Sequence, residues 1–392
     1  MNAEKPRNVC VVSGARSDYG HLKNLLKALH ADPDINLQLV VTGMHMSPEF
    51  GLTFTDIEAD GIEITERFEM LLSGDTASST AKSVGLAVHS FSDVFERIKP
   101  DVIVLLGDRF EMLAAAQVAL FFAIPIAHIH GGEITEGAFD EQIRHAITKA
   151  SSLHFTAAEP YRKRVIQLGE TPNTVFNIGT PGLECLNSMK FLDLLALEKE
   201  LGIKINKRNK FLITYHPVTL RDESSLIELD ALLGALEQFA EAQFIFTLPN
   251  ADTGGRTIRK KIEMFVNKTK TQSIAFDSLG QVRYLSLMKL STLVLGNSSS
   301  GLIEAPYLKV PSVNIGERQA GRLRSGSVIQ AQSTQKSITN SIKLAISLRF
   351  KEQVKTCIPY YQADDSAQKI VSILKKPLPS VKKTFFDINH DY

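Results

Sequence analysis

Several short segments of this 392-residue chain carry residue types that could do chemistry, and most follow a short apolar run. Ser13-Gly14-Ala15-Arg16-Ser17-Asp18 comes after Val9–Val12. A glycine there permits a tight turn, a helix start offers free N–H groups to an anion, and Arg16 adds a fork for a diphosphate. The spacing is not GxGxxG, so a dinucleotide fingerprint is absent. The plainer reading is a glycine turn beside a solvated arginine. Asn297-Ser298-Ser299-Ser300-Gly301 repeats the layout after Thr292–Leu295, ahead of an expected helix over Leu302–Leu308. One N-capping serine is ordinary, but three hydroxyls in a row suit an anion cradle. Glu304 suits ribose hydroxyls or, equally, the positive end of that helix.

A second group is rich in titratable side chains. Gly107-Asp108-Arg109 follows the most apolar run, and Asp108 reads as a general base or as the cap of a helix starting near Phe110. His128-Ile129-His130-Gly131-Gly132-Glu133 follows the next run, and then come Asp140, Glu141, Arg144 and His145. Two histidines flanking one residue of a strand share a face. A carboxylate–histidine–arginine acid/base cluster is the better reading, and a metal the weaker, because no dedicated ligand set is present. Arg144 reads otherwise as a helical partner of Asp140, four residues before it. His216, in Tyr215-His216-Pro217, and the loop Pro249–Gly255, with Asn250 and Asp252, offer further groups for sugar or base.

These segments need elements to position them. The runs 8–13, 37–42, 101–106, 124–129 and 153–157 read as strands buried on both faces. The stretches 19–30, 83–98 and 111–122 between them have helical periodicity. The alternation resumes with strands at 211–214, 243–247, 273–275, 292–295 and 312–314, and helices over 225–241 and 252–267. The break falls near Asn177–Gly182, followed by a charged helical stretch over Leu183–Gly202. The expected fold is α/β, with two Rossmann-like doubly wound domains facing a cleft. Their expected bounds are 1–180 and 181–375, with a Pro- and Lys-rich tail over 376–392. Ligands on such sheets sit beyond the carboxyl ends of the strands, where the segments above lie.

Composition narrows the partners. Forty-four Lys and Arg face 43 Asp and Glu, giving a net charge of +1, so no global field recruits nucleic acid or anionic lipid. No apolar run approaches the roughly 18 residues of a membrane span, and the start has no signal-like segment. Cys10, Cys185 and Cys357 are sparse and odd in number, which points to reduced thiols and a cytoplasmic protein. Neither a metal nor a cofactor is expected.

Taken in order, Gly14–Asp18, Gly107–Arg109, His128–Glu133 with Asp140 and Ile143-Arg144-His145, Tyr215–Pro217, Pro249–Gly255, Ser298–Pro306 and Asn314–Gln319 with Gly321-Arg322 form a specific set. The chain resembles, over nearly its whole length, the hydrolysing UDP-N-acetylglucosamine 2-epimerases of bacterial sialic-acid synthesis. That resemblance implies a glycosyltransferase-B-like fold, a homodimer and a UDP-amino sugar substrate. It implies anti elimination of UDP across C1–C2 to a 2-acetamidoglucal, then hydration to N-acetylmannosamine. The expected catalytic set is Asp108, His130, Glu133, Asp140, Arg144 and His216. Arg16, Asp18, Arg109, Asn250, Asp252, Phe276, Ser298, Ser299, Ser300, Gly301 and Glu304 are expected to bind UDP or the sugar. Among these, Arg16, His216 and Ser298–Ser300 match diphosphate contacts, Glu304 the ribose contact, and Phe276 lies near the uracil. Some relatives carry Glu at the position of His130, and the loop Ile134–Phe139 is one residue longer here. Members with His-Ile-His-Gly-Gly act on UDP-2,4-diacetamido-2,4,6-trideoxyhexoses, which keeps that substrate open beside UDP-GlcNAc. A non-hydrolysing epimerase, a glycosyltransferase on the same scaffold and an inactive nucleotide-sugar sensor are the other readings.

Overall fold

The computed structural model describes residues 5–74, 76–136, 139–205, 209–217, 222–249, 255–269, 273–362 and 365–388. Among them, strands β1 (Arg7–Ser13), β2 (Ile35–Val41), β3 (Glu66–Arg67), β4 (Val102–Leu106), β5 (Ile126–Ile129), β6 (Leu153–Thr156) and β7 (Val175–Asn177) form one sheet. Strands β8 (Lys210–Thr214), β9 (Gln243–Thr247), β10 (Ser273–Phe276), β11 (Leu293–Gly296), β12 (Ser312–Ile315) and β13 (Val328–Ala331) form another. The chain divides into two compact units, Met1–Glu133 with Asp140–Ser188 and Tyr361–Tyr392, and Ile134–Phe139 with Met189–Tyr360.

In the first unit all strand pairs are parallel, in the order β3-β2-β1-β4-β5-β6-β7. Alternate residues of one strand enter opposite cores. Val9 and Val11 pack with Leu22, Leu25 and Leu26 of the helix Arg16–Ala31. Cys10 and Val12 pack with Phe91 and Phe95 of the helix Ala77–Ile98 and Ala115 of the helix Phe110–Phe121. Each fully buried Val, Leu or Phe contributes about 1.5–3 kcal/mol, so a strand apolar on both faces is held from both sides. The second unit repeats the plan in the order β10-β9-β8-β11-β12-β13, again all parallel.

Each sheet reverses its strand order once, between β1 and β4 and between β8 and β11. At such a reversal the loops after the two central strands run to opposite faces and leave a crevice. The loops Gly14–Arg16 and Gly107–Arg109 follow the first pair. Tyr215-His216 and Asn297–Ser300 follow the second.

Four expectations need correction. Residues 361–375 do not close the second unit, because Ala367, Ile370, Val371 and Leu374 of the helix Ser366–Leu374 join the core around Leu22. Nor does the expected tail, described as far as residue 388, stand apart: Lys383 Nζ donates to Ser151 O and Glu170 Oε2, each at 2.7 Å, and Phe386 N–H donates to Gly169 O at 2.9 Å. The helix over Leu183–Gly202 is two helices, Pro181–Ser188 and Leu194–Leu201, and Asp193 caps the second by accepting from Ala196 N–H at 2.8 Å. Lastly, Leu302–Leu308 is not one helix. A 3₁₀ turn at Ser299–Gly301 leads to a single helical turn, Glu304–Tyr307, which Pro306 cannot extend by an N–H. The helix expected from Asp252 begins, among the described residues, at Gly255.

Among the described residues no helix is long and apolar enough to cross a membrane, and no group of three or more His, Cys, Asp or Glu could hold a metal ion.

Candidate functional site

The first unit gathers its titratable groups where β4 and β5 end. Gly107 leaves β4 with φ +76, a conformation that favours glycine. Its carbonyl accepts from His128 Nε2 at 2.7 Å, and His128 Nδ1 accepts from the Thr148 hydroxyl at 3.1 Å. Burial pushes His128 down to about 3, so it is a neutral donor that fixes the turn ahead of Asp108. β5 ends at Ile129, and His130 takes left-handed backbone with φ +68. The shared face expected of the two histidines therefore does not hold them to common partners. His130 Nδ1 pairs instead with Glu133 Oε1 at 2.7 Å, and its Nε2 is buried with no partner among the described residues.

Arg144 is the hub of this half. Its side chain is 1% exposed on the helix Asp140–Ala150. Nη1 donates to Glu133 O at 2.9 Å and to Glu141 Oε2 at 3.1 Å, and Nη2 donates to Asp108 Oδ2. Glu141 also pairs with His145 Nε2 at 2.9 Å. One turn before Arg144 on the helix, Glu141 is its charge partner, and Asp140 opens the same helix. One buried guanidinium ties Asp108 to the backbone of Glu133, three residues from His130 (a planar fork suits this better than an ammonium).

The turn after β1 is more anionic than its sequence suggests. The helix Arg16–Ala31 does begin there, and its N-cap, Ala15, gives no side-chain bond. Asp18 nevertheless reaches back and accepts from Gly14 N–H at 3.3 Å, taking one donor expected for phosphate. Glu111, fully buried, presses its carboxyl group on Gly14 and Gly43. Arg109 bonds Glu111 Oε1 at 3.0 Å through Nη2, so this cation is committed within the unit. Burial pushes Asp18 up to about 6, with Arg109 opposing and Glu111 adding to the rise. His45, hydrogen-bonded to Ser13 and Thr53, is lowered to about 4 by burial.

The raised Asp18 group has a consequence for stability. Its folded value lies above the ordinary 3.8, so its contribution is full below 3.8 and is lost as pH rises through about 6. Asp18→Asn should remove that dependence. Urea unfolding should show the wild type gaining at most about 3 kcal/mol on the variant between pH 7 and pH 4. A constant difference would refute a proton held at Asp18.

In the second unit, Gly296 ends β11 with φ +137, so close to β8 that a Cβ would overlap the Thr214 carbonyl. His216 leaves β8 nearly buried. Across the reversal, Ser298 Oγ accepts from Ser300 N–H at 3.4 Å and from the Ser300 hydroxyl at 3.1 Å. Ser300 also bonds the Tyr284 hydroxyl at 2.7 Å. Burial raises Tyr284 to about 12, so it stays a protonated donor. Ser298 and Ser299 are half-buried, and Gly301 packs on Ser312. With only a 3₁₀ turn here, an anion would be met by hydroxyls and turn N–H groups, not by a long helix dipole. Glu304 opens the single helical turn and is half-buried. Phe276 ends the edge strand β10. Asn250 and Asp252 lie outside the described residues.

The structure thus brings Asp108, Arg144 and Glu133 together, pairs His130 with Glu133, and sets Asp18 beside Arg109 and Glu111. Sequence reasoning missed Glu111, His45, Tyr284 and the side chain of Asn297. Glu111 had a signal, as the lone charged residue in the stretch Phe110–Phe121. Tyr284 had none.

Comparison with known proteins gives a family and a fold. The family described as UDP-N-acetylglucosamine 2-epimerase matches residues 27–375. A Campylobacter jejuni protein named GDP/UDP-N,N'-diacetylbacillosamine 2-epimerase (hydrolyzing) is 45% identical over 83% of this chain and 84% of its own. A UDP-N-acetylglucosamine 2-epimerase of Neisseria meningitidis is 30% identical over 98% of this chain and 100% of its own. In fold, the crystal structure of a Listeria monocytogenes protein described as a UDP-N-acetylglucosamine 2-epimerase superposes with a TM-score of 0.80 at 16% identity, covering 96% of this chain and 99% of that one.

Proposed function

The chain belongs to the UDP-N-acetylglucosamine 2-epimerase family, and from that premise we propose that it is a hydrolysing UDP-sugar 2-epimerase whose sugar is N,N'-diacetylbacillosamine. In the first step a base removes the C2 proton. The C2–H electron pair forms the C1=C2 double bond, and the C1–O bond to UDP breaks with its electrons leaving on the diphosphate. In the second, water adds its hydroxyl to C1 and a proton reaches C2 from the opposite face. The product is the free sugar inverted at C2.

One observation carries the reading: Arg144 holds Asp108 beside the His130–Glu133 pair, which sets two acid/base groups at the end of neighbouring strands. Asp108 is the proposed C2 base, and His130, backed by Glu133, serves the hydration step with Asp140. Arg144 orients, and Arg109 props Glu111. In the second unit, His216 and Ser298–Gly301 take the diphosphate, Glu304 the ribose and Phe276 the uracil edge. Arg16 and Asp18 complete the substrate contacts, with Asn250 and Asp252. The choice of sugar follows His130, which stands where some relatives have Glu, and the 45% identity to the Campylobacter protein. UDP-GlcNAc is the second reading, supported by the Neisseria relative. A homodimer in the cytoplasm completes the proposal.

Each UDP-sugar is incubated with the protein in deuterated water and followed by proton and phosphorus NMR. The expected result is free UDP and 2-deuterated sugar, with kcat/KM at least about tenfold higher for the diacetamido substrate. Faster turnover of UDP-GlcNAc would reverse the choice of sugar. A C2-inverted UDP-sugar without free UDP would overturn hydrolysis.

A further inference from the structure

The reversal in the second sheet is held by a side chain to which no role has yet been given. β8 and β11 pair as far as Thr214 and Gly296. The main chain adds one more bond, from Asn297 N–H to Thr214 O at 3.2 Å. Beyond it the chains must part, because β8 runs on to His216 and Pro217 while β11 turns into the serines. Asn297, fully buried, bridges that parting. Its Oδ1 accepts from His216 N–H at 2.7 Å, and its Nδ2 donates to His216 O at 2.8 Å. The amide thus supplies a side-chain rung that satisfies both backbone groups of one residue, groups that are costly to bury without partners.

Asn297 is itself fixed from behind. Its carbonyl accepts from Arg318 Nη1 at 3.2 Å and Gln319 Nε2 at 3.1 Å. The missing Cβ of Gly296 allows the close approach that brings the amide to His216. On the far side of His216, Tyr215 is buried and its hydroxyl donates to Glu228 Oε2 at 2.9 Å. The backbone of His216 is therefore pinned on one flank by Asn297 and on the other by the anchored Tyr215. Asn297 is also the residue from which the Ser298–Ser300 turn springs.

We propose that Asn297 is a positioning residue for the diphosphate of the nucleotide: it fixes the imidazole of His216 relative to the serine turn, so that both meet one anion. This rests on the UDP-sugar reading above. Asn297 contacts no ligand itself and acts through His216.

UDP binding by calorimetry, with steady-state kinetics, is measured for the wild type, Asn297→Ala, His216→Ala and the double variant. Asn297→Ala should weaken UDP at least about tenfold and raise KM more than it lowers kcat. In the His216→Ala background the same change should cost no more than about twofold, because the residue it positions is gone. Multiplying losses in the double variant, or UDP affinity within twofold of wild type in Asn297→Ala, would overturn the proposal. If Asn297→Ala does not fold, Asn297→Asp replaces it with the same expectation, since it keeps the acceptor and loses the donor. Wild-type protein that takes up no UDP would instead sink the UDP-sugar reading, and this proposal with it. UDP uptake with multiplying losses would sink the positioning role alone.

Discussion

Asp108→Asn should lower kcat by about a thousandfold and leave the dissociation constant of UDP within about twofold. The substitution keeps the shape of the side chain and removes its capacity to hold a proton. Oδ2 is occupied by Arg144 in the resting protein, and Asp108 is about one-fifth exposed, so the remaining oxygen is the one free to face substrate. The UDP contacts proposed for the second unit are untouched by the change, which is why affinity should survive. Deuterium entry at C2 should fall in step with UDP release, since one proton transfer governs both. Loss of UDP binding in this variant would assign Asp108 a binding or structural part, and unchanged kcat would remove it from the chemistry.

Arg144→Met should cost about 3–5 kcal/mol in urea unfolding. Methionine fills much of the same volume, so the loss is chiefly electrostatic. It strips the charge partner from Asp108 and Glu141 and leaves the Glu133 carbonyl without its donor. Arg144→Lys should recover little, because one ammonium cannot span three acceptors held in a fork. Adding Glu141→Gln to Arg144→Met should regain part of the loss by removing one carboxylate that has lost its guanidinium. A cost under about 1 kcal/mol for Arg144→Met would mean that water already screens the cluster.

The central strands, and the loops beyond their carboxyl ends, were legible in the chain because burial on two faces writes itself as runs such as Val9-Cys10-Val11-Val12. Several of the runs, such as those before Gly14, Gly107 and Gly296, are punctuated by a glycine where the loop departs. The edges were not. β3 is Glu66–Arg67, two charged residues, and β7 and β13 are three and four residues long. An edge strand with one neighbour need not be apolar. The helix misread over Leu302–Leu308 had a local warning in Pro306, and the misjoined Leu183–Gly202 stretch had one in Asp193. The site followed the same division. Asp108 and His130 could be picked out by type and by place at strand ends, and Arg144 by type alone, since it lies on a helix. Which carboxylate Arg144 would hold, and that Asn297 would clasp a residue 81 positions earlier, depend on how separate strands register. No local pattern carries that information.

The return of residues 361–388 to the first unit bears on how the molecule can be made and taken apart. Neither half is one stretch of sequence, so no single cut yields two intact pieces. A fragment ending near Tyr360 would hold every strand of both sheets, yet Leu22, Leu25 and Leu26 would lose the apolar face of Ser366–Leu374. On the ribosome the first seven strands emerge early and must wait through the synthesis of the entire second unit before their covering helix arrives. The second unit has its own core around Leu229, Phe246 and Leu295 and can complete itself first, which inverts the usual order in which a nascent chain closes its domains.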